Sequence, residues 1–187
     1  MHRDFRKPLV VMAPKSLLRH PKCKSALSEL DDEADLDGAG TRFKRLIKDS
    51  SATELEDFPP PKPGVAKLIF CSGKVYYELE AQREAEGKEG KVAIVRVEQL
   101  APLPWDLVLR ELRRYPAAQV TWAQEEPQNM GAFLHMLPRL QTALKELGRG
   151  GEGVAYAGRA CSASTATGFG SHHAAEQAEL LKEALKL

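Results

Sequence analysis

Glu125 and Glu126 stand side by side in QEEPQNMGAF (124–133), directly after the apolar run QVTWA. Paired acids there could bind a cation, serve as a base, or accept bonds from arginines of a partner. The carboxyl edge of an open α/β sheet is where such folds place ligands. Solvated loop acids are the plain alternative. Gln124 and Asn129 frame the pair, and Gly131 would let a backbone approach closely where the next helix begins. A second polar group closes another apolar run, in VRVEQLAPLPWD (95–106). Arg96 and Glu98, two residues apart, share one face of that strand, with Gln99 next to them. They either form part of a site or lock one domain against another.

CSGKVYYEL (71–79) places a turn at Ser72 and Gly73 between a strand and a helix opened by Lys74. Backbone N–H groups at such a turn could hold an anion, with Lys74 supplying charge. No Walker A pattern surrounds it, and a cap-and-turn is the simpler reading. Arg6, Lys7, Lys15 and Arg19 belong to a dense basic cluster around the first apolar run. They could converge on phosphate groups or form a solvated rim. Phe5 stands alone there, so the interleaved aromatics that bind single-stranded nucleic acid are missing.

Other patterns resolve into turns and packing. GRGGEG (148–153) satisfies G-x-G-x-x-G, but its glycines end a helix and lead into a strand, the reverse of the dinucleotide order. His172 and His173 diverge by about 100° on a helix and read as solvated. Cys23, Cys71 and Cys161 lack zinc-ligand spacing, so no metal site is expected. Cys71 reads as a buried thiol in a reducing compartment. No Ser-His-Asp set or paired-acid geometry emerges.

These residues need elements to position them. Continuous apolar runs predict five strands at 9–12, 67–71, 92–97, 119–123 and 153–158, covered on both faces. Helical patterns lie over 75–86, 104–115 and 130–147, where Pro138 should kink or restart the third. A last helix is expected over 172–185, with Ser171 as N-cap. The alternation predicts an α/β fold: a three-layer α/β/α sandwich around a mainly parallel sheet. Residues 30–64, with DDEADLDGAG and FPPPKPG, read as a mobile acidic and proline-rich segment within a single domain spanning 1–187.

The totals agree with a globular domain: 187 residues, 43% apolar, 28% charged and a net charge of +1. That balance supplies no field for nucleic acid or an acidic membrane, and no run approaches the ~20 residues of a spanning helix. The opening MHRDFRKPLVVM is too short in its apolar part for a signal peptide, and reads as a start placed before a strand.

FRKPLVVMAPKSLLRH (5–20), GTRFKRLI (40–47), CSGKVYYEL, AIVRVEQLAPLPWDL (93–107), QEEPQNMGAF and YAGRACSASTATGF (156–169) follow one another in this order. Together they resemble the C-terminal domain of the decarboxylating component of 2-oxoglutarate dehydrogenase, in its eukaryotic mitochondrial form. The likeness covers nearly all the chain apart from the acidic insert at about 31–38. Thr165 stands where many members carry proline, which bears on the rigidity of that turn. The resemblance implies a fold like the transketolase C-terminal domain, a five-strand mixed sheet with one antiparallel member. It implies a full-length mitochondrial-matrix homodimer that binds thiamine diphosphate and Mg²⁺ through its preceding domains. That enzyme decarboxylates 2-oxoglutarate and works with a lipoyl-bearing succinyltransferase and dihydrolipoamide dehydrogenase. This segment would then be catalytically silent, a structural and regulatory domain. Arg96, Glu98, Gln99, Gln124, Glu125, Glu126 and Asn129 would face the neighbouring domain or subunit. Arg6, Lys7, Lys15, Arg19 and Lys74 would be the candidates for phosphates of an acetyl-CoA or AMP effector. The rival expectation is a free-standing α/β module for a phosphorylated ligand, using Lys15, Arg19 and Lys74.

Overall fold

The computed structural model describes residues 4, 6–27, 43–50, 62 and 64–187. The chain divides into two compact units, Met1–Thr41 and Arg42–Leu187. The first contains a short 3₁₀ helix at Lys15–Arg19, none of whose residues is buried. The strand expected at 9–12 does not form. Leu9, Val10, Val11 and Met12 carry no regular secondary structure and are between 72% and 91% exposed. β-branched residues favour extended backbone, but a strand needs a partner, and the described part of this unit contains no other strand.

The second unit holds a five-stranded sheet. In chain order the strands are β1 (Leu46–Ile47), β2 (Lys67–Cys71), β3 (Val92–Val97), β4 (Gln119–Pro127) and β5 (Ala155–Arg159). Their spatial order is β1-β3-β2-β4-β5. β1 is antiparallel to β3, pairing Leu46 with Val97 and Ile47 with Arg96; the other pairs are parallel. The fifth strand therefore comes from 43–50, inside the segment read as a solvated loop. The remainder of 30–64 lies outside the described residues, apart from 62 and 64.

Four helices cover the sheet: α1 (Val75–Ala85), α2 (Trp105–Arg114), α3 (Phe133–Glu146) and α4 (Gly170–Leu185). Alternate strand residues choose the layer. Leu68, Phe70, Val95, Val97, Val120 and Trp122 join one core with Val108 and Leu112 of α2 and Met136, Leu140 and Leu144 of α3. Ile69 and Ile94, of opposite parity on their strands, are equally buried, as are Leu79 of α1 and Leu180 of α4. That is the expected sandwich, and it explains why the strands read as unbroken apolar runs rather than alternating ones. α3 runs unbroken through Pro138, with the Arg139 side chain donating to the His135 carbonyl at 2.6 Å. α4 begins two residues early, at Gly170, with Phe169 rather than Ser171 at its N-cap and no side-chain cap.

Side chains fasten the ends. Asp49, just beyond β1, accepts from the Ile94 amide at 2.8 Å and pairs with Arg83 of α1. Both side chains are nearly inaccessible, at 2% and 4% exposure. Arg83 also donates to the Val92 carbonyl and Ser50 Oγ, at 3.1 and 3.0 Å. At the C-terminus of α4, Lys67 donates to the Lys186 carbonyl and Lys88 to that of Leu185, supplying cations where the helix dipole ends. The GRGGEG segment is a turn between α3 and β5. Its Arg149 donates to the carbonyls of Leu112, Tyr115 and Ala118, tying the end of α2 to this turn.

Candidate functional site

The polar residues gather where β2, β3, β4 and β5 end. Gly73, at φ +70°, reverses the chain from β2 into α1, a conformation that favours glycine. Its amide donates to Glu98 Oε1 at 3.4 Å, and Arg96 Nε lies 4.0 Å from the same oxygen. The Arg96 guanidinium sits over the Tyr76 ring, 4.1 Å from its centroid, and donates to Tyr77 Oη at 3.4 Å. Arg96 and Glu98 are thus partly buried, at 18% and 23% exposure. Their observed partners lie on the β2–α1 turn and α1 rather than among Gln124–Gln128. β2 separates β3 from β4, so the turn after β2 intervenes.

Lys74 takes the next place along the edge. Its Nζ lies 2.6 Å from Glu125 Oε1 and 3.4 Å from Glu78 Oε1. Burial opposes its charge, but the hydrogen bond and charge of Glu125, then Glu78, outweigh that and hold the ammonium pKa above its usual value. Glu78 also accepts from Gln177 of α4 at 2.7 Å. From β5, Arg159 Nε donates to the Glu125 carbonyl at 2.8 Å, and its Nη atoms reach Thr167 Oγ1 at 2.6 Å and the Thr165 carbonyl at 2.9 Å. Ion pairs and hydrogen bonds thus run from β3 to α4 along this edge.

Gln124 organises the QEEPQNMGAF loop from inside. It is 4% exposed. Its Oε1 accepts from Trp122 Nε1 at 2.9 Å and the Phe133 amide at 2.8 Å. Its Nε2 donates to the carbonyls of Met130, Pro127 and Glu126, at 2.8, 3.1 and 3.2 Å. Gly131, at φ +62°, passes so close that a Cβ there would lie 3.0 Å from Glu126 Cβ and 3.1 Å from Gln124 Nε2. Asn129 exchanges two hydrogen bonds with the Ser162 backbone, at 2.9 and 3.0 Å. Gln99 donates to the Pro102 carbonyl at 2.7 Å. Glu126 is exposed and borders two cavities.

One cavity, of about 400 Å³, is lined by Ser72, Leu100, Trp122, Gln124 and His135, with His135 Nε2 3.1 Å from the Leu100 carbonyl. The other, about 390 Å³, lies between Glu125, Arg159, Thr165, Thr167 and His173. His172 and His173 are exposed in the first turn of α4. Burial pushes the Cys71 thiol far up, so no thiolate is available there. Burial also pushes the Tyr156 hydroxyl up to about 12. Among the described residues no three His, Cys, Asp or Glu side chains gather to hold a metal. Among the described residues the arrangement positions loops.

Arg6, Lys7, Lys15 and Arg19 all lie exposed in the first unit, whereas Lys74 belongs to the second and is engaged by two carboxylates. Sequence reasoning missed His135 and Arg159, since neither falls in a recognisable spacing. It missed the Asp49–Arg83 pair because 34 positions separate the partners.

A family model described as 2-oxoglutarate dehydrogenase C-terminal matches residues 28–185. The chain is similar to a protein named "2-oxoglutarate dehydrogenase, mitochondrial" from Caenorhabditis briggsae, 44% identical over 179 residues, covering 96% of this chain and 16% of that protein. It is likewise similar to the "2-oxoglutarate dehydrogenase E1 component" of Brucella anthropi, 42% identical over 187 residues, covering 99% of this chain and 18% of that protein. The chain therefore spans less than a fifth of the length of these curated relatives.

Proposed function

This chain belongs to the 2-oxoglutarate dehydrogenase C-terminal family, and from that premise we propose that it is the structural and regulatory C-terminal domain of an enzyme that decarboxylates 2-oxoglutarate and passes the succinyl group to a lipoyl arm. The observation that carries this reading is the state of the carboxyl edge. Glu98, Lys74, Glu125, Gln124 and Arg159 bond one another or nearby backbone, and none is a base aimed at an open proton. Their role is to fix the β2–α1 turn and the QEEPQNMGAF loop as a rigid surface. That surface would meet the preceding domains and the second subunit of a homodimer. In the full enzyme, thiamine diphosphate held with Mg²⁺ supplies the electron sink that decarboxylation of a 2-oxo acid requires. The residues here do not fit it, since no metal-binding cluster gathers among the described residues and Glu125 is neutralised by Lys74.

The rest of the proposal follows the relatives. The mitochondrial form implies a matrix enzyme with a succinyltransferase and a dihydrolipoamide dehydrogenase as partners. Phosphates of an acetyl-CoA or AMP effector would be met by Arg6, Lys7, Lys15 and Arg19. Lys74 could join only by giving up Glu125, which weakens the alternative of a free-standing phosphate-binding module built on that lysine.

The test is activity with and without the missing length. The full-length protein, given 2-oxoglutarate, thiamine diphosphate and Mg²⁺, should release CO₂; the 187-residue chain should release none. Turnover that follows the short chain through purification would overturn its catalytic silence.

A further inference from the structure

The end of α2 hides a polar face from solvent. Glu111, Arg114 and Tyr115 stand at i, i+3 and i+4, so their side chains share one side of the helix. They are 0%, 6% and 1% exposed. Both Glu111 carboxyl oxygens, Arg114 Nε and Nη1, and Tyr115 Oη make no hydrogen bond among the described residues. Buried polar groups nearly always keep a partner, so five such atoms on one turn call for a reason. The set is complementary in kind: the acid supplies acceptors, the guanidinium and the phenol supply donors. Charged groups surround it from several elements. α2 brings Arg110 and Arg114, the chain after β1 brings Lys48 and Asp49, and Arg83 of α1 acts on Tyr115. Burial outweighs these cations and favours the neutral carboxyl on Glu111; it likewise keeps the proton on Tyr115. The same turn is tethered to its surroundings. Arg149, after α3, donates to the carbonyls of Leu112, Tyr115 and Ala118, and the Lys62 amide donates to that of Arg114 at 2.8 Å. The chain leads from here into β4 at Gln119, and from Lys62 into β2 at Lys67. This is the edge of the sheet opposite the QEEPQNMGAF loop.

We propose that Glu111 is a proton-operated latch for the end of α2: protonated, it lets the Glu111–Arg114–Tyr115 face close dry, and ionised, it opens that turn locally to water and loosens its tethers to Arg149 and Lys62. A neutral carboxyl can be buried at modest cost, whereas an anion without hydrogen bonds cannot. Satisfying the anion takes water or a swing of the Arg114 guanidinium, and either one requires the turn to part. The closed form therefore holds the proton more tightly than the open form. Closure is complete below the ordinary glutamate range and weakens as pH rises toward the folded-state value. The latch stands whether or not the full-length protein decarboxylates 2-oxoglutarate.

Native-state amide exchange on the 187-residue chain tests the latch. The Tyr115 and Ala118 amides donate to the carbonyls of Glu111 and Tyr115, both at 3.2 Å. They should exchange through an opening that low urea barely accelerates, whereas Ile94 should show the full urea dependence of unfolding. After correction for intrinsic rates, protection at Tyr115 and Ala118 should fall by at least about tenfold from pH 4 to pH 8. Glu111→Gln keeps the shape and removes the titration, so its protection there should stay level across that range. An equal fall in Glu111→Gln would overturn the latch, as would level protection in the unsubstituted chain. So would exchange at Tyr115 and Ala118 that follows urea as steeply as Ile94, since no separate opening would then exist. Carbon-13 NMR of the unsubstituted chain keeps the question open to refutation if the variant does not fold. The Glu111 carboxyl should titrate above the ordinary glutamate range, and a titration within that range would overturn the latch.

Discussion

Single side chains at the carboxyl edge differ sharply in how much they hold. Arg96 and Glu98 are partly exposed and 4.0 Å apart, so their attraction is screened, and the ring of Tyr76 supplies most of what fixes the guanidinium. Arg96→Ala in this chain should lower unfolding free energy by only about 0.5–1 kcal/mol. A loss of several kcal/mol in urea titration would contradict that. Gly131→Ala demands more. A left-handed φ and two contacts near 3 Å must both be relieved, and the midpoint should fall by the equivalent of about 1–3 kcal/mol. Glu111 is a different case. It is fully buried on α2 with neither oxygen bonded among the described residues, and burial holds its pKa above the usual glutamate value against the pull of Arg114. A raised folded-state pKa means the group's favourable contribution is complete below the unfolded value and is lost as pH rises through the folded one. Glu111→Gln should therefore stabilise the chain at pH 8 and give no gain near pH 4. Urea titrations at the two pH values that showed the opposite order would refute the assignment. The role of Gln124 was not legible in the sequence, because an amide after a strand reads as solvated or as an interface group. In the fold it satisfies Trp122 and the Phe133 amide at once.

At the level of elements, β1 has only two residues, and two ladder positions cannot hold an edge strand alone. Asp49 extends the ladder by a side chain, occupying the Ile94 amide where a further strand residue would have stood. Its partner Arg83 comes from α1, so strand, edge and helix close on one buried ion pair. Asp49→Ala should cost about 3–5 kcal/mol, since it leaves the Arg83 charge buried without its acid. Replacing both partners, Asp49→Asn with Arg83→Met, should cost less than the sum of the single changes. Strict additivity in the double-mutant cycle would show that the two do not act together. Elements with long patterns were legible: β2, β3, β4 and all four helices fall near the positions their apolar spacing predicts. β1 was not, because Leu46 and Ile47 offer no period to read. The run at 9–12 misled in the other direction. Its composition announces a strand, but composition cannot supply the pairing partner that a strand needs.

Across the whole molecule, β3, β2 and β4 sit in the middle of the strand order, with β1 and β5 outside. The central ladder, through Ile69, Phe70, Ile94 and Trp122, should exchange its amides only when the domain opens globally, while β1 and β5 open more readily. Faster exchange at Ile94 than at Ala157 would contradict that order. The same arrangement equips the protein with a built-in reporter. Cys23 and Cys161 are exposed, whereas Cys71 is sealed between the layers with its thiolate suppressed. A thiol reagent should therefore count two equivalents at once and the third at the pace of unfolding. The slow component of a simple colour reaction becomes a direct clock for how long the core stays closed.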